Sequence, residues 1–210
     1  MDAEGKRARE MVKGLSAKEK WAHFWYYYKK HVIIAIIAIG FISWTVYEKM
    51  NQIKYDLQIP YYSSRVIDID NNIQKFEDYF IESVADSNNN GRVDMQVLSY
   101  TADISQAKTD QVVGTMLQKM DMSLAADEFS VYILDEKYLE HFKKSYNDVK
   151  FTSVEISNIP EVREVLGLFE NEKAYLVTLE LFDRVKDNDA KIAEHENALG
   201  VEKFFADKLK

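Results

Sequence analysis

Apolar residues are distributed along this chain in two ways. From Val32 to Tyr47 they run together for 16 residues without a charge. Beyond Lys54 they fall into short stripes, some alternating and some at helical spacing. The first pattern predicts a helix through hydrocarbon, the second an α/β domain. The boundaries that follow are 1–31 for a basic and aromatic segment, 32–47 for the span, 48–54 for a linker and 55–210 for the domain.

Within the domain, Tyr55 to Tyr61 alternates with period two and reads as a strand. Asp70 is placed to cap a helix carrying Ile73, Phe76, Phe80 and Val84. Asp86 to Gly91 is a turn cluster, and Val93, Met95 and Val97 alternate in a second strand. Asp103 and Gln106 have capping-box spacing, ahead of a helix expected to bury Ile104, Val112, Met116 and Met120. Phe129 to Leu134 is a third strand. Asp135 then caps a helix bearing Tyr138, Leu139 and Phe142.

A further strand covers Val149 to Ile156. Pro160 suits the first turn of a helix with Val162, Val165 and Phe169. Ala174 to Phe182 is apolar on both faces for much of its length, as a central covered strand would be. A last helix runs from Asp189 to Lys208, with Gly200 as a weak point. The alternation predicts a three-layer domain with a mostly parallel sheet of about five strands. The long connection before Ala174 permits one antiparallel strand.

The span is slightly short, at roughly 24 Å against about 30 Å of hydrocarbon. Its flanks extend it. Trp44 and Tyr47 suit one interface; Trp25 to Tyr28 suit the other, beside Lys29 and Lys30. A cleaved signal peptide has a similar apolar run but a shorter leading segment and a small-residue cleavage site. Here Trp44-Thr-Val-Tyr-Glu-Lys-Met50 follows, so an uncleaved signal anchor is expected. Upstream, Ser16 and Glu19 have capping-box spacing, and Trp21, Phe24, Trp25 and Tyr28 share one helical face. That face either lies on the inner leaflet or belongs to one continuous helix whose aromatics reach the headgroups.

Charge gives the expected orientation. Eight Lys/Arg precede the span, whereas only Lys49, Lys54 and Arg65 follow it closely. The positive-inside rule puts the N-terminus in the cytoplasm and the domain outside. The first 50 residues have net charge +4 and the remainder −12. The basic head suits an anionic leaflet, while the acidic domain makes nucleic acid an unsuitable partner. With Cys 0, disulfides, thiolate metal sites and cysteine nucleophiles are excluded.

The stretch Lys20-Trp-Ala-His-Phe-Trp-Tyr-Tyr-Tyr-Lys-Lys-His-Val32 carries a resemblance. Phe24, Trp25, Tyr27, Tyr28, Lys29, His31 and Val32 match an F-W-x-Y-Y-K-x-H-V opening. It resembles that of uncharacterised single-pass membrane proteins of Gram-positive anaerobes, which implies the same order of anchor helix and α/β ectodomain. The domain also looks like a degenerate single lobe of type 2 periplasmic-binding proteins. The matching pieces are the Tyr55 strand, the Asp86–Asp94 turn, Val131 to Asp135 and the Ala174 strand. Such proteins close two lobes on a ligand, whereas this chain has room for one.

The metal candidate is Asp86, Asn88, Asn90 and Asp94, with Gly91 at the turn. These oxygens have the spacing of a calcium loop, but its bidentate acid is replaced by Val97. Weak calcium binding is one expectation, a hydrogen-bonded turn the other; no other cofactor is expected. His195-Glu196 opens like a zincin helix, but Leu199 replaces the second histidine. His23, His31 and His141 are scattered. Asp68 and Asp70 could pair as carboxylates, though Asp70 is better used as a cap. Tyr61, Tyr62 and Tyr100 either form a contact patch or complete the core.

No catalytic motif emerges, so the chain is not expected to be an enzyme. A non-catalytic interaction domain, held on the lipid bilayer beside another membrane or cell-surface protein, is the first expectation. A tethered receptor for a small solute or peptide is the second, and a hydrolase the third.

Overall fold

The computed structural model describes residues 16–65, 72–107 and 109–210. Contacts divide the chain into Met1–Ile53 and Lys54–Lys210. In the first unit a continuous helix, α1, runs Ala17–Asn51. Ser16 opens it with a full capping box: its hydroxyl accepts the Glu19 N–H, and Glu19 accepts the Ser16 N–H at 2.8 Å. α1 is long and apolar enough to cross a membrane, and its apolar window is not buried against protein. Thr45 in the apolar run donates its hydroxyl to the Phe41 carbonyl at 2.7 Å, which removes a polar group from the helix surface.

The second unit contains β1 (Leu57–Ser63), α2 (Ile73–Phe80), β2 (Met95–Thr101), α3 (Gln111–Ala125), β3 (Val131–Asp135) and α4 (Glu136–Ser145). β4 (Phe151–Glu155), α5 (Pro160–Val165), β5 (Ala174–Leu179) and α6 (Asp189–Lys208) complete it. The five strands form one sheet in the order β2-β1-β3-β5-β4. β1 pairs in parallel with β2 and β3, whereas β5 lies antiparallel to both β3 and β4. The sheet is thus mixed, with its one reversed strand where the sequence allowed it.

Alternation along the strands builds two cores. Leu57, Ile59, Tyr61, Val131, Ile133 and Leu176 face one way, against Phe76 and Phe80 of α2, Val162 of α5, and Val201 and Phe205 of α6. Tyr62, Tyr132, Leu134, Val177 and Leu179 face the other, against Met120 and Leu124 of α3, and Tyr138 and Phe142 of α4. Helices therefore cover both faces, and β5 is apolar on both faces, Thr178 apart, because both are covered. Pro60 sits inside β1, a central strand. It lies where the β1–β3 ladder is absent, since that pairing is confined to Tyr61–Ile133 and Tyr62–Leu134.

Several expectations shift. Ile104 belongs to a separate 3-10 turn, and α3 begins later, capped by Asp110, which accepts the Val112 N–H at 2.8 Å. The buried stripe of α3 is therefore Val113, Met120 and Leu124, while Val112 is 63% exposed. Val93 precedes β2 rather than belonging to it. Phe169 falls beyond α5 and is 63% exposed, because Gly167 (φ 59°) stops the helix. The Leu168 N–H closes on Arg163 O at 2.9 Å and the Gly167 N–H on Glu164 O at 3.1 Å, a Schellman stop. Gly200 is a close approach rather than a weak point: a Cβ there would meet Ser83 O at 2.6 Å. Asp68 and Asp70 lie outside the described residues.

Candidate functional site

β1 has β2 on one side and β3 on the other. The helix after β1 packs on one face of the sheet and the helix after β3 on the opposite face. Chain connections thus diverge at the carboxyl ends of β1 and β3, where open α/β sheets form ligand crevices. A cleft of about 210 Å³ occupies this position. Ser63, Ser64 and Arg65 come from the end of β1, and Asp135, Glu136 and Lys137 from the β3–α4 junction. Because β5 is reversed, its leading loop also arrives here and supplies Leu168, Asn171, Glu172 and Lys173.

Asp135 joins two walls. Its Oδ2 accepts the Ser64 N–H at 2.5 Å, and its Oδ1 accepts the Tyr138 N–H at 2.8 Å as the N-cap of α4. Arg65 joins the third. It donates to Gly167 O, its Nε lies 2.9 Å from Glu172 Oε1, and its guanidinium stands 4.5 Å from the Phe169 ring centroid. Glu172 Oε2 accepts the Phe169 N–H at 2.8 Å. Lys173 is 3.7 Å from Glu136, and Lys137 is 3.4 Å from Asp103. Among the described residues, positive and negative groups balance in the cleft, within a domain of net charge −12.

Two hydroxyls near the end of β1 lack a well-aligned partner among the described residues, and of these Ser64 lines the cleft while Tyr61 lies behind it in the core. Ser64 Oγ is buried and makes no hydrogen bond among the described residues. Tyr61 is fully buried, and its hydroxyl makes no aligned hydrogen bond either. The polar groups that act on it are Ser63, Asp135, Arg65 and Glu172, all cleft-lining. Desolvation by burial pushes the Tyr61 phenol up to about 12, so it is a neutral hydrogen-bond donor at physiological pH. Among the described residues, no histidine lines the cleft. The arrangement can hold and orient a polar ligand.

The sequence-predicted loop is elsewhere. Asp86, Asn88, Asn90 and Asp94 do come together, but around Asp56, a buried carboxylate that sequence reasoning missed. Asp56 Oδ1 accepts the N–H groups of Ser87 and Asn88 at 2.8 and 3.0 Å, and its Oδ2 accepts that of Asp94 at 2.8 Å. Asp86 accepts from the Asn90 and Gly91 N–H groups, Asn88 Oδ1 from Asn90, and Asn90 Oδ1 from Arg92. Asp94 Oδ2 is held at 2.8 Å by both Asn90 Nδ2 and Arg92 Nε. A cation at these oxygens would have to displace those donors. Among the described residues, no three His, Asp or Glu side chains gather as metal ligands.

The tyrosines divide. Tyr61 and Tyr62 are core residues, and Tyr62 stacks on half-buried Tyr100 at 4.9 Å. His195 lies half-buried on α6, its pKa pushed down by desolvation. His141 lies on α4 near Ser145. The cleft residues Ser64 and Arg65 were missed, although they follow the first predicted strand directly, at its carboxyl end. Comparison of the chain with family models, curated proteins and solved structures gives no match.

Proposed function

We propose that this chain is a single-pass membrane protein whose α/β domain lies outside the cell and binds a partner rather than catalysing a reaction. The observation that carries this reading is α1, an unburied helix with a charge-free run of the right order of length. Lys30 and Lys49 bracket roughly 28 Å of it, close to the thickness of hydrocarbon. The excess of basic residues before the run supports an inside N-terminus. A binding role is supported by a cleft whose carboxylates are held by N–H groups and cations, with no histidine base beside its serines.

Affinity purification of the tagged full chain from native membranes tests the interaction. A reproducible stoichiometric protein partner is expected. A clean monomer, with no partner retained after crosslinking, would contradict it. The second reading is a tethered receptor for a small solute, and the cleft at the topological switch point favours it.

A further inference from the structure

The two edges of the sheet differ. β2 lies at one edge, where the buried Glu77 carboxylate of α2 accepts the Val97 N–H at 2.6 Å. β4 lies at the other. The Glu180 N–H donates to Lys150 O, and Thr152 and Val154 stand opposite Thr178 and Leu176 of β5. Lys150, Thr152 and Val154 therefore turn their backbone groups toward β5, and Phe151, Ser153 and Glu155 turn theirs away. Among the described residues, nothing bonds to the N–H groups of these last three or to the carbonyls of Phe151 and Ser153. Thr152 and Ser153 are exposed, and β4 carries no proline. An open, regular edge of this kind is a template for another strand.

β4 is complementary to itself. Set antiparallel about Ser153, the two Ser153 residues exchange N–H to C=O bonds, and each Glu155 N–H meets Phe151 O of the other copy. Thr152 falls opposite Val154, a β-branched pair on one face. The charged residues between positions 149 and 156 are Lys150 and Glu155. In this register the two Lys150 residues stand roughly 20 Å apart and the two Glu155 residues roughly 14 Å, both beyond a Debye length of about 8 Å. Each Lys150 instead ends beside position 155 of the other copy, where the opposite charge sits. A strand of five residues makes a small contact, which a shared membrane strengthens by confining both copies to one surface. We propose that two copies of this chain join β4 to β4, antiparallel about Ser153, into one continuous sheet. The inference rests on the first reading, in which the domain binds a partner, and names that partner as a second copy.

Full-length Ser153→Cys in isolated membranes, treated with a mild thiol oxidant, is expected to give a disulfide-linked dimer. Directly opposed residues of a hydrogen-bonded pair sit about 5.5 Å apart at Cα, within disulfide reach. The chain has no other thiol. Lys150→Cys, exposed and about 20 Å from its copy in this register, is expected to stay monomeric. Ser153→Pro removes an N–H that faces away from the sheet, so the domain is expected to fold as the parent does, with an unchanged far-UV circular dichroism spectrum. Its self-association in proteoliposomes, read by energy transfer between labelled chains, is expected to weaken about thirtyfold, from one backbone hydrogen bond lost in each copy. No Ser153→Cys dimer, equal linkage of Lys150→Cys, or unchanged association of a folded Ser153→Pro chain would each overturn the pairing. A foreign protein copurifying with a Ser153→Cys chain that stays monomeric would remove the second copy as partner and leave the binding reading standing. A clean monomer in both experiments would end both, so the two failures are distinguishable.

Discussion

Asp56 is fully buried at the foot of β1 and joins that strand to the loop entering β2. Asn197 of α6 extends the junction. Its amide donates to Asp56 O and Ala85 O, and its Oδ1 accepts the Ala85 N–H at 2.8 Å. Removing the carboxylate leaves several N–H groups unpaired, so Asp56→Ala is expected to cost about 3 kcal/mol or more by chemical denaturation. Asp86→Ala, in the exposed half of the loop, is expected to cost much less. With its oxygens engaged by N–H donors, the loop is expected to give no Tm change in millimolar calcium; a rise abolished by Asp86→Ala would identify a cation site. Two glycines make a second contrast. Gly200→Ala meets the Ser83 carbonyl and is expected to destabilise by about 1–3 kcal/mol. Gly114→Ala, in open space on α3, is expected to stabilise by about 0.5–1 kcal/mol. The residue type alone marks neither glycine; what decides is a backbone from a distant part of the chain.

At the scale of elements, the edge strand β2 shows how a helix guards a sheet. Glu77 of α2 is buried, and its Oε1 accepts the Val97 N–H at 2.6 Å. Desolvation raises the Glu77 pKa, and the hydrogen bond only partly opposes it. The folded protein therefore keeps the Glu77 proton to higher pH than the unfolded chain does. Stability should fall as pH rises from the ordinary glutamate range through the raised value, and stay lower above it. Glu77→Gln retains an acceptor for Val97 and is expected to flatten that part of the stability–pH curve. A wild-type curve that instead rises through this range, with no change in the variant, would oppose this account. Element identity was largely legible in sequence where one stripe dominated: α6 has the expected range, and Asp135 caps α4 as expected. Phase was only partly legible in α3: Met120 is buried as expected, but Ile104 belongs to its own turn and Val113 rather than Val112 faces the core. The end of α5 was legible in principle, since Gly167 is the one residue near it suited to the left-handed stop.

For the whole molecule, the division into a membrane-suited helix and an acidic domain follows from charge and hydropathy, which are sums along the chain. The cleft does not, because it is made where β1, β3 and the reversed β5 meet, and strand order is a property of three-dimensional pairing. Strand alternation predicted covered faces but could not say that Ser64 and Lys173 would share a cleft. The central claim is that α1 spans the membrane with the domain outside. The chain contains no cysteine, so a single introduced thiol reports its own side. Lys210→Cys and Lys18→Cys, each in the full chain, can be treated on intact cells with a membrane-impermeant maleimide. The account predicts labelling of Lys210→Cys in intact cells and of Lys18→Cys only after permeabilisation. Labelling in the reverse order, or a mature chain shortened past Tyr47 and released from the membrane, would contradict it.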